Sequence, residues 1–214
     1  VRADGKIVAQ QMTMYWDAGA YADYAVNVTR ASAYPGAGPY EIPNAALDAY
    51  TVYTNKPYGT AYRGFGHVEF FWGLERHMEL VASVIGMDAL EFRRHNAIGP
   101  GATTLTGEPI TEHTGSVRKC LDAVAESIGY GALSAAEAER ERQSGRRIGK
   151  GIAALHKAPG MPPFTATAVI LKMNSDGSVI VNLGLTEIGQ GSSTAVQQIV
   201  AERLRCDIAR VKVL

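Results

Sequence analysis

The 214-residue chain is short of cysteine, has no excess of either charge and contains no long apolar run. Each shortage closes a class of function. Cys120 and Cys206 stand alone, with none of the CxxC or clustered spacings that zinc or iron–sulfur ligation requires. No metal ligand set is therefore expected within the chain. Cys120 lies in an apolar helical pattern, which predicts a buried free thiol, and isolated thiols suit a reducing cytoplasm, the expected location. Lys plus Arg and Asp plus Glu both total 21, so neither nucleic acid nor an anionic membrane is an expected partner. No stretch reaches about 18 consecutive apolar residues and no signal-peptide pattern is present, so no membrane anchorage is predicted.

What is present is an ordinary globular composition, 46% hydrophobic and 20% charged, which supports a sizeable core. The chain opens on "VRADGKIVAQQMTMYWDAGAY" without a methionine and stops within the alternating run "IARVKVL". Both ends read as cuts through secondary structure, the second as a strand with no partner after it, and a piece of something longer is the expectation. A homo-oligomer is expected on the same ground, because unpaired strands and uncovered apolar faces invite pairing.

Periodicity predicts the elements. Residues 1–16 alternate around Asp4-Gly5, which reads as a hairpin turn between two strands. "GPYEIPN" at 38–44 is extended loop, since Pro39 and Pro43 bias their predecessors away from the helical region, and 46–55 is a strand rich in Tyr, Val and Thr. Phe71, Leu74, Met78, Val81 or Ala82, and Ile85 mark one buried helix face that Gly86 ends. A short helix over 88–97 has Asp88 as N-cap. Val117, Leu121, Val124 and Ile128 mark an amphipathic helix that stops before Gly129. The mixed-charge segment 134–147 reads as a solvated helix leading to a linker, so the domains are placed at 1–145 and 146–214. Beyond it, "TATAVILKMN", a turn at Ser175-Asp176-Gly177 and "SVIVNLGL" form a hairpin. A last helix sets Val196, Ile199 or Val200, and Leu204 on one face. The fold class is α+β, with mixed sheets packed by helices.

Twice the chain runs strand, glycine-bearing turn, helix: through "YRGFG" at 62–66 and through "TEIGQGSS" at 186–193. A helix N-terminus presents unpaired N–H groups and about half a positive charge, and glycine lets a ligand approach the backbone. At the second turn Ser192, Ser193 and Thr194 offer N-cap hydroxyls. Gln190 both donates and accepts, which suits a heteroatom-rich ligand better than a bare phosphate. At the first, Arg63 either pairs with phosphate or lines the site through its backbone, and Phe65 offers a flat apolar face. Neither turn matches the P-loop or GxGxxG fingerprint, and strand–glycine–helix junctions are common without any ligand. Spacing alone leaves two candidate cradles.

The words are more specific than the spacing. "GPYEIPN", "YTNKPYGTAYRGFG", "ERHMELVASVIGMDALEFRRHN", "SDGSV" and "TEIGQGSSTAVQQIVAERL" occur in this order. Across almost the whole chain the sequence thereby resembles the molybdenum-binding large subunit of the xanthine dehydrogenase and aldehyde oxidase family. The resemblance implies a fragment of the molybdopterin-binding region of a molybdenum hydroxylase, carrying the end of one cofactor-binding domain and the start of the next. It implies molybdenum on a molybdopterin or its cytosine dinucleotide, with iron–sulfur clusters and FAD in other domains or subunits. It also implies the remainder of the molybdenum subunit as a partner and a small aromatic heterocycle or aldehyde as substrate.

By the same resemblance Arg63, Gly64, Gly189, Gln190 and Gly191 contact the cofactor, and Phe65 holds a flat substrate. Arg30, taken as standing in an extended segment, polarises the substrate, at the cost of a one-residue shift in the match. Glu187 orients its loop. His67 and Val68 depart from the small residues or proline of many relatives, and a lone histidine there reads as a structural hydrogen-bonder. In "HKAPGMPPF" Pro159 stands where purine-oxidising relatives carry a second aromatic, with Met161 or Phe164 as replacements. The general-base glutamate is expected outside these residues, so no catalytic residue is assigned and the fragment alone is expected to be inert. Carbon monoxide dehydrogenase-type and hydroxybenzoyl-thioester reductase chemistries share the implied scaffold. A non-catalytic interaction domain is the alternative from another class.

Overall fold

The computed structural model describes residues 1–157 and 166–214. The chain divides into two compact units, Val1–Ala158 and Pro159–Leu214, both mixing helix and strand. Pro159, Met161 and Phe164 lie outside the described residues.

The first unit opens with β1 (Gln10–Gly19), α1 (Ala25–Ala33) and β2 (Ala45–Tyr53). β1 and β2 pair in parallel, Gln10 opposite Ala45 and Asp17 opposite Val52, and such a pair needs the crossover that α1 supplies. The structure corrects the expected hairpin around Asp4-Gly5. A tight turn does form, with Gly5 N–H donating to Arg2 O at 2.9 Å, but the chain beside it pairs with a side chain instead of a strand. Asn96 accepts from Ile7 N–H at 2.9 Å and donates to Gly5 O at 2.9 Å. α1 has no signature in the sequence, because its buried positions are Ala25, Val28, Thr29 and Ser32, too weakly apolar to show a periodic stripe.

α2 (His67–Ile85) and α3 (Ala89–Asn96) follow the expected pattern. Phe71, Leu74, Met78 and Ala82 are buried, and Val81 and Ile85 pack against the same cluster with Ile7, Tyr40, Ile42 and Phe92. Gly86 ends α2 in the left-handed conformation, and Asp88 caps α3 by accepting from Leu90 and Glu91 N–H at 2.9 and 3.1 Å. α4 (Val117–Ser127) is rotated from expectation: Leu121 and Ala125 are buried against Leu90, Ile152 and Ala154, whereas Val124 and Ile128 are exposed. Cys120 is likewise exposed instead of buried, on the rim of an open groove of about 340 Å³ between α4 and residues 152–156. α5 (Ala135–Ser144) has no buried residue and is started by a Ser134–Glu137 capping box, a solvated helix as expected.

In the second unit β3 (Val169–Met173) and β4 (Val179–Leu183) form the expected hairpin. The terminal strand β5 (Val211–Val213) does find a partner, pairing in parallel with β4. α6 (Ser192–Leu204) makes that crossover. Val200 and Ala201 pack on Val179, Val181 and Val211, with Val196 against the same cluster, so of the two alternatives Val200 and not Ile199 lies on the buried face; Leu204, also expected there, is exposed.

A buried ion pair ties the first unit together. Arg93 of α3 is 1% exposed and Glu75 of α2 is 6% exposed. Arg93 Nε donates to Glu75 Oε2 at 2.7 Å, and its other nitrogens donate to Glu79 Oε2, Ala89 O and Glu75 O. Glu75 also accepts from the Tyr40 hydroxyl and from Ala154 N–H at 2.9 Å. Burial, followed by the Glu75 charge, pushes the Tyr40 hydroxyl well up, so Tyr40 acts as a donor throughout the accessible range. Removing one member strands a charge in the interior, which costs about 3–5 kcal/mol, whereas replacing both partners by apolar residues is often close to neutral. Arg93→Met is therefore expected to lose about 3–5 kcal/mol of unfolding free energy in urea titration. The double variant Glu75→Leu/Arg93→Met should recover much of that loss.

Candidate functional site

The turn between β2 and α2 is built from residues of unusual backbone. Gly64, Phe65 and Gly66 have φ of 108°, 54° and 86° in succession. The two glycines bear this freely, but a left-handed Phe65 costs about 1–2 kcal/mol. Phe65 is half-buried and meets Tyr24 edge-on at 6.4 Å between ring centroids. His67, at the first position of α2, is 8% exposed, and its Nδ1 lies 3.0 Å from Gly64 O. Burial first, and then the Lys157 charge, hold its pKa below the usual histidine value. His156 is lowered by burial and then by His67. The structural reading of His67 therefore stands. Arg63 is exposed beside this turn, and Arg30 is exposed on α1, a helix and not the extended segment expected of it.

The second turn has a feature that its sequence does not declare. The N-terminal amides of α6 are filled by the chain's own carboxylate. Glu187 Oε1 accepts from Gly189 N–H at 2.7 Å and Gly191 N–H at 3.1 Å. Its Oε2 accepts from the Ser192 hydroxyl at 3.0 Å and Ser193 N–H at 3.1 Å. The Ser192, Ser193 and Thr194 hydroxyls do not cap the helix; Gly191 is its N-cap and no side chain caps from that position. With the Ser193 and Gly191 amides contributing most, the Glu187 carboxyl is held down at about 2, so Glu187 orients the loop as an anion. Gln190 folds into the same loop, its Oε1 accepting from Ile188 N–H and its Nε2 donating to Thr186 O and Ser192 Oγ. Gly191 has φ of 82°, and a Cβ built there meets nothing within 4 Å. Among the described residues, the space beside Gly191 is therefore open. Among the described residues no group of three or more His, Cys, Asp or Glu side chains is placed to hold a metal ion, and no helix is long and apolar enough to cross a membrane.

The two units present a glycine-bearing turn before a helix apiece, one beside an exposed arginine and one beside a glutamine amide. Both units are of the α+β class. Comparison with known families resolves the class further. Residues 1–97 match one molybdopterin cofactor-binding domain family and residues 123–214 match a second of the same description. The xanthine dehydrogenase molybdenum-binding subunit of Escherichia coli O157:H7 is 29% identical over 218 aligned residues, covering 100% of this chain and 28% of that protein. The 6-hydroxypseudooxynicotine dehydrogenase complex subunit gamma of Paenarthrobacter nicotinovorans is 31% identical, covering 95% of this chain and 26% of that protein. The crystal structure of the aldehyde oxidoreductase from Desulfovibrio desulfuricans ATCC 27774 superposes with a TM-score of 0.74 at 25% identity, over 99% of this chain and 23% of that one. The chain belongs to the molybdopterin-binding family of the xanthine dehydrogenases and aldehyde oxidoreductases. Its relatives are molybdopterin-dependent oxidoreductases, and it spans about a quarter of the length of the curated relatives it matches, 26% and 28% of two of them.

Because its folded pKa is depressed, Glu187 contributes stability that is complete above the ordinary glutamate value of 4.5 and is lost as pH falls towards about 2. Glu187→Ala is expected to speed amide exchange at Gly189, Gly191 and Ser193 at pH 7 by about tenfold, roughly the loss of one charge-assisted hydrogen bond each. Hydrogen-exchange mass spectrometry over 187–194 checks this; unchanged protection would show that the carboxylate does not hold the loop.

Proposed function

We propose that the chain is part of the molybdenum subunit of a hydroxylase acting on an aromatic heterocycle or an aldehyde. Residues 1–145 would form the end of the first molybdopterin-binding domain and 146–214 the start of the second. The observation that carries the reading is the exposed GQG segment: Gly191 opens onto empty space, and Gln190, held by three bonds within its loop, keeps acceptor capacity on Oε1 among the described residues. An acceptor beside a carboxylate-filled loop suits a neutral donor such as a pterin N–H, and not an anionic phosphate.

On this reading Gly189 and Gly191 admit the cofactor and Gln190 hydrogen-bonds to it in the second unit, and in the first unit the backbone of Arg63 and Gly64 takes part in cofactor binding. Phe65 supports a flat substrate by its face, and Arg30 polarises it. When bound, molybdenum on molybdopterin or its cytosine dinucleotide supplies two-electron redox chemistry, and water supplies the oxygen that is inserted. The electrons would pass to iron–sulfur and flavin centres in other domains or subunits, in a cytoplasmic assembly. The general base belongs to parts of the parent protein that these residues do not include, so the isolated chain would be inactive. The Paenarthrobacter nicotinovorans relative is by its name the gamma subunit of a dehydrogenase complex, which supports partner subunits.

Gln190→Ala and Gly191→Ala in the full-length parent test the assignment. In Gln190→Ala the loss of one ligand hydrogen bond of about 1.4 kcal/mol lowers affinity roughly tenfold, and in Gly191→Ala a Cβ at φ of 82° strains the turn. Molybdenum per protein, measured by mass spectrometry at free cofactor below the dissociation constant, should fall about tenfold in the first and fall also in the second. Unchanged metal content in folded variants would favour an interaction domain that keeps the scaffold without the chemistry.

A further inference from the structure

Three successive left-handed residues need something to hold them. Strain at a residue such as Phe65, which carries a Cβ, persists where its surroundings over-determine the backbone. Packing does part of this: a Cβ on Gly66 would lie 2.8 Å from Val28 O, and one on Gly64 would lie 2.8 Å from Val68 Cγ2. These contacts say which residues fit the turn; they do not pull it into shape. The directional restraint comes from His67. Its backbone N–H donates to Gly64 O at 3.2 Å, and its ring Nδ1 sits 3.0 Å from the same oxygen. A carbonyl only accepts, so Nδ1 carries the proton and the ring donates. Gly64 O is thus gripped twice by one residue across the strained position.

The ring that does the gripping is itself fixed. It is buried, its centroid is 6.1 Å from that of Phe71, and Phe71 in turn meets His156 edge-on at 6.4 Å. Phe71 belongs to the main core cluster. His67 therefore links the core to the turn.

We propose that His67 is a positioning residue for Phe65: by holding the Gly64 carbonyl it fixes the left-handed turn and so sets the attitude in which the Phe65 ring is offered to a flat ligand. The inference rests on the reading of Phe65 as the substrate-facing ring. It assigns part of the selectivity for planar substrates to a buried side chain that does not touch them.

The test uses the full-length holoenzyme carrying His67→Leu, which fills the space without a donor, and His67→Asn, which keeps an N–H near the position of Nδ1. Three quantities are read: amide exchange over 62–67, molybdenum content, and the equilibrium affinity for quinoline as a planar probe. His67→Leu should exchange about tenfold faster across the turn and bind quinoline about fivefold more weakly with molybdenum retained, and His67→Asn should restore both. Wild-type exchange and affinity in His67→Leu would overturn the proposal, as would equal losses in the two variants, since volume and not the donor would then matter. If His67→Leu does not fold, His67→Gln, whose donor lies one methylene farther out, takes its place with the same expected loss. A loaded wild-type enzyme that ignores quinoline would refute the reading of Phe65, while the exchange comparison would still decide whether His67 holds the turn.

Discussion

The first unit is organised around one charge pair withdrawn from water. Arg93 and Glu75 are each costly to bury alone, and each is tolerable because the other, together with Tyr40, Ala154 N–H, Glu79 and the Ala89 carbonyl, satisfies its hydrogen-bonding capacity. The geometry demanded by those bonds fixes where α2, α3, the loop at 38–44 and the segment near residue 154 stand relative to one another. Since α2 begins at the Gly64–Gly66 turn, the placement of that turn is inherited from the ion pair that Arg93 makes with Glu75 and Glu79, about two to four helical turns farther along. An apolar cluster alone would permit sliding, because dispersion contacts are weakly directional; a guanidinium with assigned partners permits very little.

The two candidate turns solve the same electrostatic problem differently. At α6 the exposed amides are satisfied internally by Glu187, and the space beside Gly191 stays open among the described residues. At α2 the first-turn residue His67 reaches back to the preceding carbonyl, so a donor satisfies an acceptor, and Glu69 in the same first turn supplies the counter-charge to the helix dipole. The exposed Arg63 adds positive charge there. The first turn therefore carries charges of both signs, whereas the second is neutralised by a carboxylate and presents a neutral amide.

Much of this was legible in the sequence, for identifiable reasons. α2 and α3 declare themselves because long apolar side chains recur at helical spacing between clear stops, Gly66, Gly86 and Asp88. The β3–β4 hairpin declares itself through Asp176-Gly177. The β1–β2 pairing was hidden, since a period of two shows which face is buried and is silent on which strand lies alongside or in which direction. α1 was hidden because Ala, Ser and Thr can form a buried face without raising hydrophobicity. Arg93 could have been found: Glu75 sits between Leu74 and Met78 on the face that must be buried, and a carboxylate there calls for a cation in reach. The positions of the two turns were readable from RGFG and GQG, but the capture of the α6 amides by Glu187 was not, because a carboxylate two to six residues away from a glycine turn has no distinctive spacing.

The left-handed Phe65 has an evolutionary consequence. Glycine or asparagine at that position would relieve the backbone, so a library of this protein screened for thermal resilience alone would tend to replace the phenylalanine. A lineage that keeps it therefore does so against the direction in which stability would drift. Resistance of this one codon to relaxation is the trace by which selection for ligand handling could be told apart from selection for a durable scaffold.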